Sequence, residues 1–127
     1  MKPEEGRERK RLNRREDFEQ AYREGRRVVS PFFVAFVRAT GLGCLRVGVV
    51  ASRRVGGSVA RNRAKRLLRE AFRRSNRTAS VSADVVLVAR QAIGEAHCAE
   101  VERACSRGLG HILERLARSN ETAGGRS

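Results

Sequence analysis

Basic side chains are concentrated in residues 53–77 of this sequence. This segment is rich in arginine and holds ten basic side chains and a single acidic one, Glu70. A planar guanidinium group can bind two phosphate oxygens or stack on a base, which an ammonium group does not do. This composition favours structured RNA as the partner over a purely solvated surface or an anionic membrane. The basic residues of the segment are Arg53, Arg54, Arg61, Arg63, Lys65, Arg66, Arg69, Arg73, Arg74 and Arg77.

Three aromatic residues outside that segment are further candidates for binding. Phe18 and Tyr22 are four residues apart in a helical pattern, and Phe36 lies in a strand-like run. Aromatic faces beside a basic groove bind single-stranded nucleic acid, and each stacked base contributes about 1–3 kcal/mol. The alternative is that the rings are core, since Phe33 and Val37 on the opposite strand face also need burial. Tyr22 is the best candidate of the three because a phenol hydroxyl prefers a solvated edge.

No set of residues predicts catalysis or metal binding by this chain alone. Cys98 and Cys105 share a helical face with apolar residues, which indicates a core stripe and not a zinc site, despite the neighbouring histidines His97 and His111. Metal-dependent phosphodiester cleavage needs several converging carboxylates, whereas the aspartates are isolated along the chain. The sequence has no GxSxG, HExxH or phosphate-loop motif. We therefore predict no catalytic residue, no metal ligand and no small-molecule substrate.

Length and composition limit the chain to one small domain. With 127 residues and 40% hydrophobic side chains, it can form one core but not a large catalytic domain. The net charge of +14 predicts an anionic partner. The three cysteines form no CxxC pair, and no leading apolar segment is present, which favours a reduced, cytoplasmic protein with no membrane partner. We assign residues 12–118 to the domain, residues 1–11 to a flexible basic tail and residues 119–127 to a second flexible tail.

Hydrophobic periodicity predicts the elements that must position the candidate residues. The order is α-β-β-α-β-α, which is an α+β fold. The dipeptide Ser30-Pro31 near the start of the first strand indicates an edge or a bulge. The predicted helices span residues 13–23, 59–74 and 95–118, and the predicted strands span residues 28–38, 45–52 and 83–90.

The helix over residues 59–74 divides into an apolar and a basic side. At 3.6 residues per turn, one arc holds Ala60, Ala64, Leu67, Leu68, Ala71 and Phe72 and is expected to face the sheet. The opposite side holds Asn62, Lys65, Arg66, Arg69 and Arg73. Like charges four residues apart repel each other, so this side is expected to bind phosphate. Glu70 is expected to pair with Arg66 or Arg74, one turn away, and to act as a positioning residue.

The run SRRVGGSVARNRAKRLLREAF, from Ser52 to Phe72, resembles the signature of the bacterial ribonuclease P protein subunit. At its centre is the element Arg61-Asn62-Arg63, which follows a glycine turn at a helix start. The similarity extends to the REDFEQAYREG helix, to the aromatic strand ending in Phe36 and to the RVGVVASRR strand. It covers about residues 12–117.

The resemblance implies a fold and a partner. The fold is a single-domain α/β sandwich of αβββαβα-type order, similar to domain two of ribosomal protein S5, with a left-handed βαβ crossover. Pattern reasoning alone predicts a right-handed crossover. The partners are a large catalytic RNA, the ribonuclease P RNA, and the 5′ leader of precursor tRNA. The RNA performs Mg²⁺-dependent hydrolysis and binds most of the Mg²⁺, and the protein is not the catalyst.

The resemblance also implies roles for individual residues. The single-stranded leader would lie in a cleft lined by Phe18, Tyr22 and Phe36. The residues expected to contact RNA are Arg53, Arg54, Arg61, Asn62, Arg63, Lys65, Arg66, Arg69 and Arg73. Two other functions stay open: a ribosomal or ribosome-assembly RNA-binding protein of the same fold, and a helix-turn-helix DNA-binding protein. The second is disfavoured because a strand, and not a short helix, precedes the basic helix.

Overall fold

The computed structural model describes residues 9–75 and 81–126. They form β1 (Arg9–Arg11), α1 (Arg15–Glu24), β2 (Arg26–Val29), β3 (Phe33–Ala39), β4 (Leu45–Val50), α2 (Ser58–Ser75), β5 (Ala83–Ala89), a short 3-10 helix (Gln91–Glu95) and α3 (Cys98–Arg126). The α+β fold is confirmed. The αβββαβα order is present and is preceded by one additional strand, β1.

The five strands form one mixed sheet in the order β1-β4-β5-β3-β2. β4 is parallel to both β1 and β5, whereas β3 is antiparallel to both β5 and β2. Because β4 and β5 are parallel neighbours, the chain must cross over between them, and α2 is that crossover. Its handedness stays a prediction.

The main core lies between the sheet and the two long helices, α2 and α3. Alternate residues of the strands point to this face, among them Phe33, Val85 and Leu87, which are fully buried. Leu68 and Phe72 of α2 pack onto them from above. The face of α2 that enters this core thereby determines which of its side chains are left for solvent.

The opposite sheet face carries a smaller core under α1. Leu12, Ala21 and Val86 are its buried members. Gly48 of β4 lies directly beneath the Phe18 ring. A β-carbon at position 48 would be only 2.6 Å from Phe18 Cζ. Only glycine leaves room for the aromatic ring to lie against the strand at this position.

The predicted strand over residues 28–38 is two strands joined by a tight turn. The Ser30 hydroxyl accepts hydrogen bonds from the amides of Phe32 at 3.2 Å and Phe33 at 3.1 Å. Pro31 has no amide hydrogen to donate to a strand ladder. The chain therefore reverses, and Val29 of β2 pairs with Val34 of β3. The sequence predicted an edge or a bulge at Ser30-Pro31, and the structure has a hairpin turn there.

Regular structure extends into both segments that the sequence assigned to tails. Residues 9–11 form β1, in which Arg9 pairs with Leu45, and α3 continues to Arg126. A three-residue charged edge strand has no alternation that would reveal it, and the polar end of α3 lacks an apolar stripe. Residues 1–8 and Ser127 lie outside the described residues. Although α3 is 29 residues long, no helix in the described part of the chain is long and apolar enough to cross a membrane.

Candidate RNA interface

α2 separates apolar from polar side chains as the sequence predicted. The buried residues are Ala64, Leu68, Ala71 and Phe72, and Ala60 and Leu67 are half-buried at the borders of this arc. Asn62, Arg66, Arg69 and Arg73 are exposed, whereas Arg61 and Lys65 are half-buried. Burial of one side of α2 against the sheet and α3 therefore leaves the other side, which is mostly basic, facing solvent.

A tight turn brings two more arginines to the start of α2. After β4, the amide of Val55 donates to the Ser52 carbonyl at 3.0 Å, and the amide of Gly56 donates to the Arg53 carbonyl at 3.1 Å. Gly56 has φ +146°, a conformation that favours glycine. Arg53 and Arg54 are exposed on this turn, so both lie beside the N-terminal end of α2.

Most of these cations have no acidic partner. Among the side chains of residues 11–75 and 81–116, no ion pair involves Arg53, Arg54, Arg61, Lys65, Arg66 or Arg69. We call this set, together with Asn62, the basic surface. Among the described side chains, its positive charge therefore has no acidic counterpart, and such a surface attracts anions.

The acidic residue of α2 neutralises charge at the other end of the helix. Glu70 accepts from Arg73 Nη2 at 2.7 Å and from Arg74 Nε at 2.8 Å, and these hydrogen bonds lower the pKa of Glu70. The predicted pairing with Arg74 is confirmed, whereas Arg73 and not Arg66 is the second partner. Arg66 is thereby left within the basic surface.

Arg63 has an internal contact that the sequence did not reveal. Its guanidinium group donates to the carbonyl oxygen of Ala96 at 3.1 Å and lies 3.4 Å from that of Ile93 and 3.5 Å from that of Gly94. These carbonyls belong to the 3-10 helix and the residue after it. Arg63 therefore ties α2 to that segment, and its predicted contact with RNA stays a prediction.

Arg11 extends the basic surface onto the edge of the sheet. It pairs with Val47 in the β1–β4 ladder, and its charge acts on Arg69 of α2. Partial burial and, secondarily, the nearby Arg11 cation lower the pKa of Arg69. The sequence missed Arg11 because it was assigned to the tail. The only signal was the basic run Arg9-Lys10-Arg11.

The three predicted cleft residues lie together on the other face of the sheet, and we call them the aromatic cleft. The rings of Tyr22 and Phe36 meet edge to face, with centroids 5.1 Å apart and an interplanar angle of 80°. Tyr22 is 41% exposed, whereas Phe18 and Phe36 are half-buried against the α1 core. Partial burial raises the pKa of Tyr22. The rings are thus anchored in a core at one side while Tyr22 reaches solvent.

Apolar residues continue from the aromatic cleft along the same face of the sheet. One rung beyond Phe36 on the same sheet face, Val34, Val88 and Val50 are in register across three strands, and all three are half-buried. β4 ends at Val50, and Arg53 follows within three residues. These three valines form an apolar floor that runs from the aromatic cleft to the end of β4, three residues before Arg53.

The cysteines and histidines of the C-terminal region form no metal site in the described residues. Cys105 is buried with Val101 and Leu109, as the predicted core stripe requires. Burial raises the pKa of the Cys105 thiol to about 12, so it is a neutral, unreactive group. Among the residues that the structure describes, no three histidine, cysteine, aspartate or glutamate side chains are grouped to hold a metal ion.

The fold and these two surfaces define a class of protein: a small basic α+β domain with the features of a nucleic-acid-binding module. A family model described as Ribonuclease P matches residues 7–113. The ribonuclease P protein component of Alkaliphilus oremlandii is 32% identical over 106 residues, which are 84% of this chain and 90% of that protein. That of Dehalococcoides mccartyi is 37% identical over 100 residues, 79% of this chain and 82% of that protein.

The fold is also similar to that of a solved protein of this kind. The solved RNase P protein from Thermotoga maritima superposes with a TM-score of 0.68 at 29% identity, covering 84% of this chain and 97% of that chain. The chain belongs to the ribonuclease P protein family.

Proposed function

We propose that this chain is the protein component of ribonuclease P. In this role it binds the catalytic RNA and the 5′ leader of precursor tRNA, and it assists the endonucleolytic removal of the leader in the cytoplasm. The observation that carries the proposal is the basic surface, whose cations have no acidic partner in the described residues, on a chain of this family.

The basic surface would hold RNA phosphates. Two RNA molecules repel each other, and cations placed between them lower the electrostatic cost of bringing them together. Arg53 and Arg54 on the turn and Arg66 on α2 are exposed for such contacts. Arg63 is the member of the predicted set whose guanidinium already binds protein carbonyls, so its contribution would be to hold α2 in place.

The aromatic cleft would hold the unpaired leader. Tyr22 presents an exposed ring for stacking, and the half-buried Phe36 and Phe18 fix its position. Stacking tolerates any base because every base has a π face. The apolar floor would give the leader a path toward the turn that carries Arg53 and Arg54, and the phosphates of the leader would bind these cations.

The chemistry would belong to the RNA. In the described part of the protein, no three histidine, cysteine, aspartate or glutamate side chains are grouped to hold a metal ion, whereas Mg²⁺ needs converging oxygen ligands. The carboxylates of Glu70 and Asp84 are each bonded to arginines. The Mg²⁺ of the reaction is therefore assigned to the RNA, and this chain supplies binding and orientation. The relatives described above are ribonuclease P protein components, and no observation favours the ribosomal alternative.

Reconstitution tests the proposal. The purified chain, the ribonuclease P RNA of the same organism and a precursor tRNA are mixed at a Mg²⁺ concentration at which the RNA alone is slow. We expect the protein to accelerate release of the leader, and the protein without the RNA to leave the substrate intact. Unchanged cleavage on addition of protein would contradict the proposal, and cleavage by the polypeptide alone would contradict the assignment of chemistry to the RNA.

A further inference from the structure

Five charged side chains form a continuous chain of ion pairs between α1 and the sheet, and we call them the charged bridge: Asp17, Glu24, Arg38, Arg46 and Asp84. Asp84 on β5 is fully buried. Its two oxygens accept from Arg46 Nε at 2.8 Å and from Arg46 Nη2 at 2.7 Å. Arg38 Nη1 lies 3.5 Å from Asp84 on the other side. The sequence treated Asp84 as an isolated carboxylate, and the structure shows that it is not.

Strand register explains this arrangement. Arg38 on β3 and Arg46 on β4 are both the direct cross-strand neighbours of Asp84, so the carboxylate lies between two guanidinium groups. A buried charge is stable only when it is paired and its hydrogen-bonding capacity is filled. Asp84 therefore holds both arginines in fixed orientations on the face of the sheet that α1 covers.

Each arginine also reaches α1. Arg46 Nη1 donates to Asp17 at 3.3 Å, and Arg38 Nε donates to Glu24 at 3.1 Å. Arg46 donates to Asp17 through Nη1, the nitrogen that does not bind Asp84, so one guanidinium group joins α1 to β5. Asp17 and Glu24 are seven residues apart, which places them on the same side of the helix two turns from each other.

These two hydrogen bonds to α1 flank the part of the helix that carries the cleft residues Phe18 and Tyr22. Asp17 immediately precedes Phe18, and Glu24 follows Tyr22 by two residues. Both acids are thereby fixed at opposite ends of the helical segment that carries Phe18 and Tyr22, of which Tyr22 meets the Phe36 ring. The hydrogen bonds from Arg38 and Gln20 lower the pKa of Glu24, because they favour its ionised carboxylate.

We propose that the charged bridge is a positioning device for leader recognition: it sets the height and rotation of α1 above the sheet, and therefore the width of the aromatic cleft. The five residues touch no RNA in this proposal and act through Phe18 and Tyr22. The inference rests on the proposed function, because it assigns the leader to that cleft.

A charge-matched pair of variants separates positioning from electrostatics. The double variant Asp17→Asn/Glu24→Gln removes both ion pairs between the arginines and α1, and it leaves the ion pairs of the buried Asp84 with Arg38 and Arg46 in place. The control Glu16→Gln/Glu19→Gln removes two negative charges from the exposed side of the same helix. Each variant is assembled with the catalytic RNA, and its affinity is measured for precursor tRNA with a leader of about eight nucleotides, within the span of a single-strand site, and with a leader of about one nucleotide.

We expect the bridge variant to lower the affinity that the long leader adds by about threefold to tenfold, at or below the lower part of the range for loss of one stacked base. Its affinities for the short-leader substrate and for the catalytic RNA should match those of the control. Tyr22 is the sole tyrosine and the chain has no tryptophan, so its near-ultraviolet circular dichroism reports on the cleft. That signal should change in the bridge variant and stay unchanged in the control.

Other outcomes overturn the inference. Equal losses in both double variants would mean that net charge, and not positioning, sets leader affinity. Tyr22→Ala distinguishes the remaining cases: if it weakens leader binding while the bridge variant does not, the positioning role is wrong and the proposed function stands. If Tyr22→Ala has no effect either, the leader site itself is misplaced. Should the double variant not fold, Asp17→Asn and Glu24→Gln alone are measured with the same expectations and a smaller loss.

Discussion

Replacing Arg66 and Arg69 together by alanine is expected to weaken RNA binding in a salt-dependent way. Both side chains are exposed, and neither forms an ion pair with any residue that the structure describes. Each cation that neutralises a phosphate releases counterions, so the logarithm of the affinity falls with the logarithm of the salt concentration by about 0.7–0.9 per contact. Loss of two contacts should flatten this slope by about 1.4–1.8 and lower the affinity roughly twentyfold at about 0.15 M salt.

The assay is a titration of fluorescently labelled catalytic RNA with the protein over a series of salt concentrations. The matched control is Arg103→Ala/Arg107→Ala, which removes two exposed arginines from α3 and should leave the slope unchanged. Arg69→Lys should keep the slope while losing the bidentate contact. If both double-alanine variants flatten the slope equally, RNA is attracted by the net charge of the chain, and the reasoning from the basic surface is refuted.

Three further predictions concern the core and two titratable groups. Leu68→Ala should lower the free energy of unfolding by about 2–5 kcal/mol, whereas Val59→Ala, at a position 85% exposed, should change it by less than about 0.5 kcal/mol. Urea denaturation of both variants measures these free energies. Similar losses in the two variants would contradict the placement of α2. Burial raises the pKa of Tyr22 above its ordinary 10.0, so an absorbance titration should show that the phenol ionises at a higher pH in the folded chain than in the unfolded chain. The stability that the neutral phenol contributes is present below pH 10 and is lost as pH rises through the folded-state pKa. Because the pKa of Cys105 is about 12, alkylation near pH 8 should modify the half-buried Cys98 first, and peptide mass spectrometry showing equal rates would disprove this.

The element with the strongest periodicity was the one that the sequence predicted best. α2 has apolar residues at helical spacing over its length, so the inward positions of Leu68 and Phe72 followed from the residue order alone. The basic residues were assigned to the outward side of α2 because the apolar residues occupy the inward side. The grouping of Phe18, Tyr22 and Phe36 was predicted through the resemblance, and the structure brings these rings together.

What the sequence missed depends on contacts between distant residues. Arg11 joins the basic surface because β1 pairs with β4, next to which α2 crosses. Arg63 binds carbonyls 30 or more positions away. Asp84 and Arg46, 38 positions apart, form one unit only because their strands are in register. No local pattern encodes such pairings, since they arise from the order of strands in the sheet.

The sequence by itself determined the chemistry that this protein offers: arginines on one side of a helix and a few aromatic rings. Side-chain type and the 3.6-residue period are local properties, so they can be derived from the order of residues. Only the tertiary structure decided which arginines remain available and which are bound to Glu70, Asp84 or backbone carbonyls. That division depends on the register of the strands and the packing of helices on the sheet, because a cation is neutralised by whatever acceptor the fold places beside it.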